Sequence, residues 1–93
     1  MFKISKYILG ENRKDPKGFT MEFDNGNTIS VQFGVGNYCQ NRDGEPKHYS
    51  IDAEIAIWNI KGDMYNFGED TAKGWCSTDE VAKWIHFAST TKI

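Results

Sequence analysis

Two cysteines and two histidines are the residues of this sequence best suited to bind a metal ion: Cys39, His48, Cys76 and His86. Zinc accepts such a set, but zinc modules place their ligands in close pairs, such as C-x₂₋₄-C and H-x₃₋₅-H. The four residues here are separated by nine, twenty-eight and ten positions. We therefore predict two ordinary thiols, two loop or helix-surface imidazoles, and neither a metal nor another cofactor.

Two further patterns are candidates for catalysis. Cys39 and His48 would be a thiolate nucleophile and its base. Asp52 and Glu54 would stand ~7 Å apart on one face of a strand, given the rise of an extended chain. A free cysteine is more often a small buried apolar residue, and a solvated sheet face accounts for the two carboxylates. The sequence predicts no catalytic residues and a protein that is not an enzyme.

The segment 34–49 has no clear period and is long for a connection in a compact domain; such segments are usually functional or disordered. Gly34, Gly36 and Asn37 resemble part of a dinucleotide fingerprint, but the third glycine and the following helix are absent. Backbone N–H groups at the glycines would still form a nest for an anion. The alternative is that Gly34 and Gly36 permit a bend where a strand ends.

Charged and aromatic side chains of the same segment would complete a nucleotide site. Arg42 and Lys47 supply positive charge, Tyr38 and Tyr49 offer rings for stacking, and Asn41 is a further candidate. Single-stranded nucleic acid would use similar residues. The net charge of -2 and the lack of a basic stripe argue against nucleic acid as the partner.

A surplus of aromatic residues indicates a second kind of site. The 93 residues include three Trp, four Tyr and six Phe, and Trp58, Tyr65 and Trp75 are not all needed for one small core. Trp, Tyr and Arg are enriched among interface hot spots. Trp58 and Trp75 are therefore candidates for contact with a protein partner, unless each is half-buried in the domain.

Strand patterns dominate the chain that must position these residues. Residues 2–9 fit either a strand or a short helix, and the polar segment 10–18 fits a loop. Further along the chain, strands are predicted at 50–60 and 64–67, and a loop is predicted at 68–74. In residues 50–60, apolar residues towards the end occupy both faces, which predicts a central strand covered on both sides.

Residues 19–33 predict a β-hairpin. Phe19, Met21 and Phe23 alternate with polar residues, as do Ile29, Val31 and Phe33. A two-residue turn at Asn25-Gly26 would place the two apolar rows on opposite faces, so we predict a loop with an odd number of residues. The predicted pairs are Phe23 with Ile29, Met21 with Val31 and Phe19 with Phe33, with Asn27 in the left-handed conformation.

A capping box predicts the start of a C-terminal helix at Ser77, with Glu80 three residues on. Val81, Trp84, Ile85 and Ala88 form its apolar stripe, with Trp84 as a core anchor, and residues 90–93 are expected to fray. The chain is thus predicted to be a single α+β domain over residues 1–93. A small antiparallel β-sheet of about four strands would carry the C-terminal α-helix on one face.

Neither a signal peptide nor a transmembrane segment is predicted. The early lysines Lys3 and Lys6 are followed by a polar segment rather than by the ~7–15 apolar residues of a signal peptide, and no run approaches the ~20 apolar residues of a spanning helix. We expect a cytoplasmic protein that does not enter a membrane and keeps its cysteines as thiols; the alternative is a single disulfide between Cys39 and Cys76. An edge strand leaves homo-oligomerisation open.

The segment TISVQFGVGNYCQNR, residues 28–42, resembles small, largely uncharacterised bacteriophage and prophage accessory proteins. The resemblance covers residues 19–88. Further short segments of this sequence share in it: Asn25-Gly26, Ala53 to Trp58, Gly74-Trp75 and Val81-Ala82. The resemblance implies a phage accessory protein in the host bacterial cytoplasm.

Such proteins often block host defences. The resemblance therefore implies a non-enzymatic inhibitor that binds a host defence protein or complex, for example a CRISPR effector. The alternative is a binder, or sponge, of a small nucleotide signalling molecule through residues 34–49. Loss of Arg42 would abolish binding in the sponge, but would affect the inhibitor only if the loop lies in the interface.

Overall fold

A computed structural model describes the backbone of residues 1–10, 13–44, 47 and 49–93, and the side chains of these residues except 4–10 and 13–17. Within this part of the chain, five strands form one antiparallel sheet in sequence order: β1 (Phe2–Gly10), β2 (Arg13–Glu22), β3 (Thr28–Gln32), β4 (Asp52–Trp58) and β5 (Lys73–Ser77). The helix α1 (Thr78–Thr90) follows at once and contacts β3, β4 and β5. The predicted α+β class is confirmed, with one strand more than expected.

The first hairpin differs most from the prediction. Residues 2–9 lie in a strand, and most of the polar segment 10–18 belongs to β2 rather than to a loop, because Arg13 already pairs with Gly10. β3 joins β2 only from Gly18 onward, so the beginning of β2 pairs with β1 alone. Pro16 is tolerated there, since no third strand needs its missing N–H.

The short strands near the C-terminus are also placed differently. The predicted strand 64–67 contributes only one isolated bridge, between Met64 and Trp58. Instead, Lys73 begins β5, inside the segment that was predicted to be a loop. β4 is a central strand, as predicted. The end of this strand was also expected to be covered on both faces; this expectation is wrong, because Ile60, just beyond the end of β4, is 81% exposed.

The β2–β3 hairpin has the predicted faces but a different register. Met21 pairs with Ile29 and Phe19 with Val31, which leaves residues 23–27 as a loop of odd length. The register is therefore shifted by two residues, a shift that keeps both apolar rows on the same face. Gly26, with φ 90°, takes the left-handed conformation that was predicted for Asn27.

The core lies between the sheet and α1. Ile29, Ile55 and Ile57 are fully or almost fully buried, and Val81 and Ala88 of the helix complete the cluster. Trp84 packs against this core as predicted, although it is only partly buried. Its ring also joins an aromatic cluster on the flank of the helix, made with Tyr65, Phe67 and Phe87.

Side chains satisfy both ends of α1. The predicted capping box is present, since Ser77 Oγ accepts from Glu80 N and Glu80 Oε1 accepts from Ser77 N. At the other end, Asn27 Nδ2 donates to the carbonyls of Ala88 and Thr91, at 2.9 and 2.7 Å. The tail that was predicted to fray, residues 90–93, thus contacts the domain through the carbonyl of Thr91 and the side chain of Ile93.

Candidate functional site

The loop between β3 and β4 is tied to the sheet by the two carboxylates of β4. Glu54 Oε1 accepts from Asn37 Nδ2 at 3.1 Å, and Asp52 Oδ1 accepts from the backbone N–H of Gln40 at 2.6 Å. Gln40 in turn accepts at Oε1 from the N–H of Ile51. Asp52 and Glu54, considered above as a catalytic pair, thus hold the loop in place.

A buried asparagine joins the two ends of this loop. Asn41 is 2% exposed, and its Nδ2 donates to the carbonyls of Phe33 and Tyr49, both at 2.9 Å. These acceptors lie near the two ends of the loop, so one amide bridges them. The candidate residue Asn41 therefore positions other groups instead of facing a ligand.

The glycines serve the turn, and their N–H groups are already bonded. Gly34 N donates to Asn37 Oδ1 at 3.0 Å, and Gly36 N donates to the carbonyl of Arg42 at 3.0 Å. Gly36 has φ 90°, which a residue with a side chain rarely adopts. The anion nest predicted at Gly34 and Gly36 therefore lacks its donors, and the bend considered as the alternative is what the structure contains.

Outward-facing side chains of the loop form a stack with β5. The rings of Tyr38 and Trp75 lie 5.5 Å apart at an interplanar angle of 13°, and the guanidinium carbon of Arg42 lies 5.1 Å from the centre of the Tyr38 ring. Tyr38 is 40% exposed and Trp75 55% exposed. We call Tyr38, Arg42 and Trp75 the aromatic stack.

A β-bulge turns Trp75 toward this stack. Ala53 pairs with Cys76 and Ile55 with Lys73, so two residues of β5, Gly74 and Trp75, oppose the single residue between them on β4. Trp75 has φ 48°, and among the described residues it is the only non-glycine with a positive φ. A bulky side chain in this region is strained.

The loop holds the bulge in this conformation. Trp75 N donates to the carbonyl of Tyr38 at 2.8 Å. A Cβ at Gly74 would lie 2.5 Å from the Cβ of Tyr38, so the close approach requires glycine there. Strained residues persist where the surroundings over-determine them, and they cluster at functional sites.

The remaining candidates lie around the loop or apart from it. Tyr49 is 66% exposed, with Lys47 Nζ 5.8 Å from its ring centre. Ile51, which the strand alternation places in one apolar row with Ala53, is 69% exposed because it precedes the start of β4. Trp58 is half-buried at the far end of β4, roughly 13 Å along the strand from the residue opposite the bulge. The structure thus does not bring Trp58 and Trp75 together.

The two cysteines are buried free thiols. Cys39 is 2% exposed and donates through Sγ to the carbonyl of Gly34 at 3.6 Å, and Cys76 is 1% exposed. Burial raises the pKa of both thiols, which opposes formation of a nucleophilic thiolate. His48, the predicted base, lies outside the described residues, which contain no cluster of metal-ligating side chains.

Comparison with protein-family models, curated proteins and solved structures finds no significant match. Within the described part of the chain, no helix has the length and apolar character needed to cross a membrane. Function is therefore inferred from the geometry of the site.

Proposed function

We propose that this chain is a non-enzymatic, phage-type accessory protein that inhibits a host bacterial defence system by binding a defence protein or complex, for example a CRISPR effector. The observation that carries the proposal is the exposed aromatic stack on a frame of hydrogen bonds centred on buried Asn41. Its three residue types are those enriched among interface hot spots.

Rigidity of the frame favours a recognition role for the stack. The amide of Asn41, the carboxylates of Asp52 and Glu54 and the bulge at Gly74 restrict the stack before any partner arrives. A preorganised surface loses less conformational entropy on binding. Tyr49 and Ile51, at the return of the same loop, are also exposed.

A nucleotide is the second candidate ligand, and one observation favours it. The ring of Trp75 and the guanidinium of Arg42 would accept a base and a phosphate, as aromatic and basic side chains do in single-strand binding sites. However, the N–H groups of Gly34 and Gly36 are bonded within the loop and offer no phosphate nest. The stack therefore suits a protein surface better.

A phage plating assay tests the proposal. The chain is expressed in bacteria that each carry one defence system, including a CRISPR effector, and challenged with a phage that the system restricts. We expect plating to recover with one system, and the recovery to be lost with Trp75→Gly and Arg42→Ala. His86→Ala, an exposed change on α1 away from the loop, is the matched control and should retain inhibition.

Two results would contradict the proposal. The first is recovery of plating that both stack variants leave unchanged although each is folded by circular dichroism. The second is failure to recover plating with any system, together with a nucleotide-sized mass on the purified protein in native mass spectrometry. That mass, lost in Arg42→Ala, would support the nucleotide sponge instead.

A further inference from the structure

The β1–β2 hairpin differs in charge from the rest of the chain. Residues 1–18 carry five basic side chains and two acidic ones, a net charge of +3, whereas residues 19–93 carry six basic and eleven acidic ones, a net charge of -5. The overall net charge of -2 conceals this division. Such a separation of charge within one chain is typical of proteins that bind a polyanion through a basic segment.

The structure places the basic residues of this segment on two paired strands. Two belong to β1 and three to β2: Lys3, Lys6, Arg13, Lys14 and Lys17. At one end of the hairpin, Gly10 pairs with Arg13 and Leu9 with Lys14. Further along, Lys6 pairs with Gly18, so that Lys17 of the opposite strand lies beside it. The pairing thus assembles a row of basic positions that is not evident along the sequence.

The outer half of the hairpin is a ribbon of only two strands. β3 joins β2 from Gly18 onward, so residues 7–10 and 13–16 pair only with each other in the part of the chain that the structure describes. The register shifts on either side of Lys6, where the ribbon leaves the sheet. Bulges of this kind bend a strand and increase its twist, which turns the ribbon away from the sheet. We call residues 6–10 and 13–17 the basic ribbon.

A narrow ribbon with this charge suits double-stranded DNA. The major groove is about 12 Å wide and admits a two-stranded β-ribbon, whose strands lie about 4.8 Å apart. Lys and Arg side chains that neutralise phosphates release condensed counterions, which supplies affinity for any base sequence. A flat acidic protein surface would attract the same charges, but it would not make use of a narrow, projecting shape.

We infer that the basic ribbon binds the phosphate backbone of double-stranded DNA without recognising its base sequence. The negative charge of residues 19–93 repels DNA, so the contact is limited to the ribbon. β1 is one edge of the sheet, and β5, which carries Trp75 of the aromatic stack, is the other. The two surfaces are therefore separate, and either proposal can fail without the other.

Fluorescence anisotropy of short labelled DNA duplexes, titrated with the intact chain, tests the site. We expect equal affinity for two duplexes of unrelated sequence. With three phosphate contacts, the logarithm of the binding constant should fall against the logarithm of the salt concentration with a slope of about -2.7. This slope corresponds to a loss of about fortyfold in affinity between about 50 and 200 mM salt.

Two double variants locate the contact. Arg13→Gln with Lys14→Gln removes two charges from the basic ribbon, and should weaken binding at least about tenfold and make the salt slope shallower by about 1.8. Lys61→Gln with Lys92→Gln makes the same change in net charge at exposed positions outside the ribbon, and should leave the slope unchanged. Thermal unfolding verifies that each variant is folded.

Three results would overturn the inference. The first is no binding of either duplex at protein concentrations up to about 100 µM in low salt. The second is an equal loss of affinity in the two folded double variants, which would leave the ribbon without a special role. The third is an affinity for labelled poly-glutamate that matches the affinity for DNA, which would assign the ribbon to an acidic protein surface instead.

Discussion

Backbone strain at Trp75 predicts an unusual order of stability for two substitutions. In an extended strand, glycine is less stable than alanine by about 0.5–1 kcal/mol because it loses more backbone entropy. At φ 48° the order should reverse, since a left-handed conformation costs a residue with a Cβ about 1–2 kcal/mol. When the entropic cost of glycine is subtracted from the conformational cost of alanine, Trp75→Gly is expected to be more stable than Trp75→Ala by about 1 kcal/mol.

This comparison removes the side-chain contribution. Both variants lose the same indole, which is 55% exposed, and the same stacking on Tyr38. What remains between them is the conformational preference of the backbone. The same pair of changes at Trp58, the half-buried tryptophan of β4 without a positive φ, is the matched control, and there alanine should be the more stable by about 0.5–1 kcal/mol.

Urea unfolding of the four variants measures these differences as shifts in free energy of unfolding at constant slope. A difference of 1 kcal/mol also corresponds to roughly 4–8 °C in melting temperature for a domain of this size. If Trp75→Gly is no more stable than Trp75→Ala, the bulge is not strained, and the functional interpretation of that strain is lost. Loss of inhibition in the more stable glycine variant would separate binding from folding.

Three further predictions concern the frame and the thiols. Asn41→Ala should lower the free energy of unfolding by about 1–3 kcal/mol in urea titrations, since it removes the donor from the part-buried carbonyls of Phe33 and Tyr49. Gly74→Ala should destabilise by about 1–3 kcal/mol, because its Cβ would lie 2.5 Å from another Cβ; an alanine variant as stable as the parent would contradict this close approach. Burial raises the pKa of the Cys39 and Cys76 thiols, so the folded state favours their protonated forms. The contribution of these thiols to the free energy of unfolding is fully present below the unfolded-state pKa of 9.0 and falls as the pH rises above that value. Unfolding free energies at pH 7 and pH 10 check this, with a double Cys→Ala variant as the control.

Local sequence signals determined the elements that depend on near neighbours. The start of α1 follows from the reciprocal bonds of Ser77 and Glu80, which lie three residues apart and need no other part of the chain. The shared face of Met21 and Ile29 follows from strict alternation, because any even shift of register preserves it. These signals were sufficient for the α+β class.

Contacts between distant segments decided the rest. The bulge at Gly74 and Trp75 breaks the alternation of β5, so its residues do not show a strand pattern. The sequence predicts Asn27 in the left-handed position of the turn because asparagine tolerates that conformation. In the structure its side-chain amide donates to the carbonyl of Ala88 near the end of α1, sixty-one residues along the chain.

The proposed binding surface also depends on contacts between distant segments. The residue types of Tyr38, Arg42 and Trp75 could be recognised in the sequence, but their stacking depends on β5 lying beside the loop. Asp52 and Glu54 resemble any solvated pair of carboxylates until the loop folds over them. Composition and spacing therefore determined which residues could bind a partner, whereas tertiary hydrogen bonds and one strained backbone position decided which of them share a surface.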